Sequence, residues 1–227
     1  EAAELVLASS IQRADGGYGA TLVSERGTLI ANIELPDRGH DISFARDGSQ
    51  AVVFARQPGT FAVVFDPQGK RPAQTLAAVE GRHFFGHGAF SADGRLLYAT
   101  ENDFEAGRGV IGLYDATDDF RRIGEFDGFG IGAHELLLSP DGTTLVVANG
   151  GIETHPDFGR SELNLQTMDP SLCFIDAQTG ALIGQLRLAA ELHQLSIRHL
   201  AFDGLGRVWF GCQFRGPATE RPQLVGQ

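Results

Sequence analysis

Residues 86–101 form the stretch GHGAFSADGRLLYATE, in which two apolar runs flank an Ala-Asp-Gly turn. Three other stretches repeat this pattern, and each has a histidine near its start: GHDISFARDGSQAVVFAR from Gly39, AHELLLSPDGTTLVVAN from Ala133, and the more divergent RHLAFDGLGRVWFGCQ from Arg198. The first two intervals between these histidines are 47 residues, and the third is 65. A repeat of about 40 to 50 residues built from strands and turns is typical of β-propeller blades.

Each repeat predicts four antiparallel strands separated by polar turns. In the clearest unit the predicted strands are 87–91, 95–100, 110–115 and 121–126, and Gly94 provides the positive φ that the first hairpin turn needs. The preceding unit follows the same order with strands at 51–55, 61–66 and 74–79. The best helical window, 189–194, is too short to predict a helix. We therefore expect an all-β protein, a β-propeller of four-stranded blades.

The repeats divide the chain into a single β-propeller domain, residues 1–227. The predicted blades are approximately 5–35 (partial), 40–80, 87–127, 134–190 and 199–227 (partial). In the first of these, 5–11, 20–24 and 29–35 resemble the last three strands of a blade. Because a ring of six or seven blades needs roughly 270 to 320 residues, we expect a piece of a longer, seven-bladed propeller in which this chain covers four to five blades. The alternative is that another partner pairs with its open edges.

Composition and charge exclude several classes of function. The net charge of −11 argues against a nucleic-acid partner, since phosphate contacts need clustered Lys and Arg. The chain contains no run of 18 apolar residues, so no membrane span is predicted. No Ser-His-Asp order, phosphate loop or nucleotide motif supports serine hydrolase or kinase chemistry. Cys173 and Cys212 lie in apolar strand contexts without CxxC spacing, so we interpret them as small buried residues, with a disulfide or metal role as the alternative.

Three longer segments resemble a known family. They are RHFFGHGAFSADGRLLYATENDFEAGRGVIGLYD (82–115), IGAHELLLSPDGTTLVVANGGIETHPDFGR (131–160) and HQLSIRHLAFDGLGRVWFGCQ (193–213). Together they resemble the bacterial domain of unknown function numbered 1513, whose repeat is related to the wider YVTN-type propellers. The resemblance implies a periplasmic propeller, exported through a twin-arginine signal and often encoded near imelysin-like iron-uptake proteins. It implies no established reaction. The chain begins at Glu1 rather than Met, and we expect that a signal segment has been removed or trimmed.

The phased histidines His40, His87, His134 and His199 open the first strand of each unit. That strand lines the central channel of a propeller, and equivalent positions lie at one height around the axis. We therefore expect the four imidazoles to form an arc that faces one opening. Imidazole is a preferred ligand of first-row transition metals, so iron or copper is the candidate cofactor. The alternative is that one histidine per repeat fixes blade packing by bonding to backbone or to a neighbouring strand.

Two irregular loops, 101–108 and 149–157, leave the same end of adjacent blades. Features outside the repeat are not explained by its packing, and long insertions on one face of a repeat protein commonly form a binding surface. The 18 extra residues of the third interval fall in the second loop and its continuation to Met168. The loops predict a ligand or partner rim of Glu101, Asp103, Glu105, Arg108, Glu153 and His155, joined by His83 and His193. The alternative is a solvated, charged loop.

Three classes of function remain open. The favoured one is a periplasmic binding or scaffolding propeller, linked to iron or other metal uptake, whose rim binds a small ligand or a periplasmic iron-uptake protein. The second is a metal-assisted hydrolase or lactonase-like enzyme, in which an imidazole or carboxylate acts as base on a metal-bound water. The third is a purely structural role. The sequence leaves enzymatic activity undecided and favours binding.

Overall fold

The computed structural model describes residues 6–227, so the predicted start of the first strand at Leu5 lies outside the described residues. Across that range, eighteen strands form five antiparallel sheets, in which strands adjacent in the chain pair with each other. Three single-turn 3-10 helices complete the regular structure. No helix within residues 6–227 is long and apolar enough to cross a membrane. The prediction of an all-β fold is confirmed.

The strands are distributed over the sheets in chain order. The first sheet contains β1 (Val6–Gln12), β2 (Tyr18–Ser24) and β3 (Leu29–Leu35). The second contains β4 (Gly39–Phe44), β5 (Ala51–Ala55), β6 (Phe61–Phe65) and β7 (Gln74–Ala77). The third contains β8 (Arg82–Phe90), β9 (Leu96–Asp103), β10 (Arg108–Asp115) and β11 (Arg121–Asp127). The fourth contains β12 (Ala133–Leu138), β13 (Thr144–Asn149), β14 (Ser171–Asp176) and β15 (Leu182–Arg187). The fifth contains β16 (Leu195–Phe202), β17 (Val208–Phe214) and β18 (Val225–Gly226).

The short helices lie in two connections. Pro156–Phe158 and Leu165–Thr167 belong to the long loop between β13 and β14, and Ala190–Leu192 precedes β16. The last of these falls in the window 189–194, where the helical signal was too weak to predict a helix. The helix Ala190–Leu192 is only a single turn, which agrees with the weak helical signal of this window.

The sheets pack side by side around a common centre, as propeller blades do. The first strands β4, β8, β12 and β16 contact one another in that order, so they line the centre and the later strands lie further out. Strands β1 and β2 pack on β4 in the way that β5 and β6 pack on β8. The first sheet therefore occupies the position of the second to fourth strands of a blade.

Strands in the middle of a blade are apolar on both faces because each blade lies between two others. In β5, Val52 and Phe54 pack in the core shared with the third sheet, which contains Phe84. Their neighbour Val53 points the other way, into the core shared with the first sheet, which contains Leu22. Successive strand side chains point to opposite faces. A continuous apolar run such as β5 therefore joins two separate cores.

The first strands are irregular, and two of them begin earlier than the sequence predicts. The strand expected from His87 begins at Arg82, and the one expected from His199 begins at Leu195. All four first strands, β4, β8, β12 and β16, contain a register shift. The shifts fall between Gly39 and Ile42, Phe84 and Gly88, Ala133 and Glu135, and Ile197 and His199. Such β-bulges change the direction of a side chain and are frequent near functional sites. Every phased histidine lies at one of these bulges.

Candidate metal centre

The imidazoles of His40, His87, His134 and His199 meet at the centre of the blades, and we call them the histidine cluster. The ring of His87 lies 4.7 Å from that of His40, 5.0 Å from that of His134 and 5.4 Å from that of His199, measured between centroids. The ring of His134 lies 5.2 Å from that of His199 and 6.2 Å from that of His40. The histidines therefore form a compact group with His87 in its middle.

His87 is the most deeply buried member of the cluster. It is 3% exposed, and neither of its ring nitrogens makes a hydrogen bond within the described residues. Its Nδ1 atom lies 3.4 Å from Asp41 Oδ2 and 3.7 Å from Glu135 Oε1, without the geometry of a hydrogen bond. Most buried polar atoms in folded proteins have a partner, so an imidazole with two free nitrogens needs an explanation.

Two carboxylates flank the cluster, and neither was predicted from the sequence. Glu135 Oε2 lies 3.3 Å from His199 Nδ1 and accepts a hydrogen bond from the backbone N–H of Leu200. Asp41 Oδ2 accepts a hydrogen bond from the Ser43 hydroxyl. The sequence did contain a signal for these two carboxylates, because Asp41 and Glu135 each directly follow a phased histidine. A carboxylate beside an imidazole is a frequent arrangement around bound metals.

The surroundings of the imidazoles set their protonation. Burial, reinforced by His87, lowers the pKa of His40 to about 4. Burial and the nearby Arg198 guanidinium lower the pKa of His134, whose Nδ1 atom lies 3.2 Å from Arg198 Nη1. In contrast, the neighbouring Glu135 carboxylate raises the pKa of His199. His40 and His134 are therefore neutral at pH 7, which is the form that binds metals.

The cluster offers two overlapping sets of metal ligands. In each set the ligand atoms all lie within 4.8 Å of one another. One set is His40, His87 and His134, and the other is His87, Glu135 and His199. Three imidazoles, or two imidazoles and a carboxylate, are donor sets that suit first-row transition metals. His87 belongs to both sets, which makes it the central residue of the candidate site.

The predicted rim residues Glu101, Asp103 and Arg108 lie in an ion-pair network inside the third sheet. Glu101 is 1% exposed, accepts a hydrogen bond of 2.6 Å from the Tyr114 hydroxyl and pairs with Arg122 at 2.8 Å. The neighbouring Gly112 leaves room for the Glu101 carboxylate, since a Cβ atom there would overlap it. We expected Glu101 on an accessible rim. In the structure it is buried, and its carboxylate is paired with Tyr114 and Arg122.

The same network extends toward the loop end of the third sheet. Asp103 pairs with Arg82 at 3.0 Å and with Arg108 at 3.1 Å. Glu125 pairs with Arg82, Arg108 and Arg122. Although partial burial opposes the change, Arg122 and Arg82 lower the pKa of Glu125. These charged groups neutralise one another and connect β8, β9, β10 and β11, so they stabilise the blade.

The other three rim residues lie in the outer loops. The side chain of Glu105 is 75% exposed, and its Oε1 atom lies 3.6 Å from His155 Nε2. The His155 ring also packs edge to face on Phe104 at 5.2 Å. The backbone N–H of Glu153 donates to Asn164 Oδ1. The two loops therefore meet at the contact between Glu105 and His155, where Glu105 is exposed and His155 is half-buried.

The two additional histidines have separate environments. His83 is buried in β8, where its Nε2 atom lies 3.3 Å from Asn102 Nδ2. Burial lowers the pKa of His83 to about 4. His193 follows the helix Ala190–Leu192, with its Nδ1 atom 3.0 Å from the Ala190 carbonyl oxygen. Neither ring is among those that meet at the histidine cluster.

The two cysteines are free within the described residues, Cys173 buried and Cys212 half-buried. Cys173 packs in the core between the third and fourth sheets. Burial raises the pKa of the Cys212 thiol to about 11. Burial also raises the pKa of the Cys173 thiol, so both thiols are protonated at neutral pH.

Comparison with known proteins places the chain in a family. A family model described as "Protein of unknown function (DUF1513)" matches residues 33–227. The chain belongs to this family. No curated protein matches it in sequence. Among solved structures, one chain of Kuenenia stuttgartiensis hydrazine synthase is similar, with a TM-score of 0.68 and 18% identity over 92% of this chain and 55% of that chain.

The structural likeness confirms the β-propeller fold. At 18% identity it shows the fold alone, and this chain spans about half the length of that hydrazine synthase chain. The evidence for a metal centre in this DUF1513 protein therefore comes from the side chains of this chain alone. Its main feature is the convergence of four imidazoles from four successive sheets.

Proposed function

We propose that this protein binds a first-row transition-metal ion, iron or copper, at the histidine cluster. The observation that supports this most strongly is His87, which is 3% exposed and has two ring nitrogens without hydrogen-bond partners. A buried polar group left in this way costs about 1 to 3 kcal/mol. A metal ion that accepts an imidazole lone pair would offset this cost, since imidazole suits these metals.

The surrounding residues provide the rest of such a site. His40, His134 and His199 each approach His87 from a different blade, so an ion bound by either ligand set would connect three blades. Asp41 and Glu135 add negative charge next to the imidazoles. A carboxylate beside a ligating imidazole orients its ring and strengthens its donation to the metal.

A packing role alone explains the cluster less well. Histidines that fix blade packing are expected to bond to backbone or to a neighbouring strand. His87 makes no such bond within the described residues. Leaving both ring nitrogens of a buried imidazole such as His87 without a hydrogen bond is a costly way to fill space.

The metal proposal is tested by elemental analysis of protein purified without an affinity tag, combined with thermal melting with and without a chelator. We expect about one iron or copper ion per chain and a lower melting temperature after chelation. The His87→Leu variant should contain no metal, whereas the control His193→Gln should retain it. Metal-free protein whose melting temperature responds to neither chelator nor added metal would overturn the proposal.

We extend the proposal to a periplasmic binding or scaffolding protein that takes part in iron or other metal uptake. The family resemblance supports this location and a periplasmic iron-uptake protein as the partner. Fractionation of the source bacterium tests the location. Recovery of the full-length protein in the periplasmic fraction is expected, and recovery only in the cytoplasm would contradict it.

Metal-assisted hydrolysis is a second candidate, and a cavity of about 890 Å³ favours it. His40, His134 and His199 form part of the wall of this cavity, so a molecule inside it would reach an ion bound at the cluster. Turnover of a lactone or ester by the metal-loaded protein, lost in His87→Leu, would support hydrolysis. Absence of turnover in the fully loaded protein would leave binding as the function.

A further inference from the structure

The cavity beside the histidine cluster has a strongly positive wall. Four arginines line it, together with a single carboxylate from Glu162. The arginines are Arg56, Arg160, Arg198 and Arg215. The chain as a whole has 18 Lys and Arg against 29 Asp and Glu. The charge of the cavity is therefore opposite to that of the protein, and clefts of one charge concentrate ligands of the other.

Most of this positive charge is not compensated. Arg215 pairs with Glu162, with 3.1 Å between Nε and Oε2. Arg56, Arg160 and Arg198 form no salt bridge to a carboxylate within residues 6–227, and Arg198 Nε is buried without a hydrogen-bond partner. Burial, together with Arg160 and Arg38, lowers the pKa of Arg56. Burial and Arg160 also lower the pKa of Arg198. The Arg160 guanidinium group therefore repels both Arg56 and Arg198, and an anion beside it would offset this repulsion.

The arginines come from separate parts of the chain that the fold brings together. Arg56 follows β5, Arg160 lies in the long loop between β13 and β14, and Arg198 lies at the bulge of β16. Arg198 also connects this wall to the metal centre, because its Nη1 atom is 3.2 Å from His134 Nδ1. A molecule held by these arginines would therefore lie directly next to the histidine cluster.

We propose that this cavity binds a small oxyanion, a carboxylate or phosphate compound, through Arg56, Arg160 and Arg198. Guanidinium groups match the geometry of carboxylate and phosphate oxygens and bind them in a bidentate manner. The volume of about 890 Å³ lies in the range of small-molecule sites. Contact between this anion and a metal ion rests on the proposed function, whereas its binding by the arginines does not.

The test measures binding of inorganic phosphate and of succinate to metal-free protein by calorimetry, at constant ionic strength with chloride as the background anion. We expect saturable binding of at least one of the two. Phosphate alone would indicate a phosphate compound, and succinate alone would indicate a carboxylate. The double variant Arg56→Gln/Arg160→Gln and the single variant Arg198→Gln should each bind about tenfold more weakly or worse.

Arg187→Gln is the matched control, because Arg187 is an exposed arginine of β15 that pairs with Asp169 outside the cavity. Its affinity for the anion should equal that of the unmodified protein. His87→Leu separates the two proposals: it should lose metal but retain anion binding. The oxyanion proposal is overturned if neither anion binds saturably, or if folded arginine variants bind as tightly as the control.

Discussion

Gly86 faces the His40 ring so closely that a Cβ atom at position 86 would lie 2.7 Å from His40 Cδ2. Gly86 also has a φ of +109°, a conformation that side-chain-bearing residues rarely adopt. The residue lies within the bulge of β8, directly before His87. The bulge therefore places His87 at the centre of the blades, and the missing side chain lets His40 approach it to 4.7 Å between ring centroids.

Gly86→Ala should weaken metal binding by about tenfold or more, since the added methyl group displaces His40 from His87. The strained backbone should also cost about 1 to 3 kcal/mol of folding free energy. Gly94→Ala is the matched control, because Gly94 also has a positive φ, of +70°, but a Cβ atom there meets nothing within 4 Å. The Gly94→Ala variant should lose stability but keep its metal affinity, as measured by competition with a chelating dye. Equal metal affinity in both variants would show that His40 is not a ligand.

Glu101→Gln should destabilise the protein by roughly 3 kcal/mol. This value is near the lower end of the range for breaking a buried ion pair, because Arg122 still pairs with Glu125. Urea denaturation measures this loss. Metal content should not change, since Glu101 lies in the ion-pair network of the third sheet and not in the cluster. Glu105→Gln, at an exposed carboxylate, should change the free energy of unfolding by less than about 0.5 kcal/mol. Loss of metal without loss of stability in Glu101→Gln would restore Glu101 to a binding role.

His83 should make the stability of the metal-free protein depend on pH. Its pKa is about 4 in the folded protein, below the value of about 6.5 in an unfolded chain. As the pH falls from 6.5 to 4, the unfolded chain takes up a proton that the folded protein excludes. Stability therefore decreases with acidity, by at most about 1.4 kcal/mol per pH unit for this group.

The His83→Gln variant should lose this contribution. Urea denaturation at pH 6.5 and at pH 5.0 should show a smaller loss of stability for the variant than for the unmodified protein. The remaining slope reflects other histidines of lowered pKa, such as His40. His193→Gln serves as the control and should follow the unmodified protein. Parallel pH dependences for His83→Gln and the control would contradict the assignment.

The repeat made much of the fold predictable. Turn glycines such as Gly94 and the alternating apolar runs marked the strands, and the spacing of the histidines marked the blades. Equivalent positions of a propeller face a common centre, so the approach of His40, His87, His134 and His199 followed from their phase. The pattern could not give their separations, because these depend on bulges in the first strands that shift the register without a distinct composition.

The surroundings of the cluster were not predictable in the same way. Arg56, Arg160 and Arg198 are far apart in the sequence and belong to different blades, and only tertiary structure brings them to one cavity. Glu101 was predicted at an accessible rim because it follows an apolar strand. Its burial depends on Gly112 and Arg122 of neighbouring strands, and pairing across a sheet is not apparent from a local loop sequence.

The most direct measurement for the metal centre is a crystal structure of the metal-loaded protein with anomalous diffraction data collected at the absorption edge of the bound metal. A single strong anomalous peak is expected between the imidazoles of the histidine cluster, about 2.0 to 2.3 Å from a ring nitrogen of His87. A peak elsewhere, or none at the cluster in protein that elemental analysis shows to be loaded, would contradict the assignment of the histidines as metal ligands.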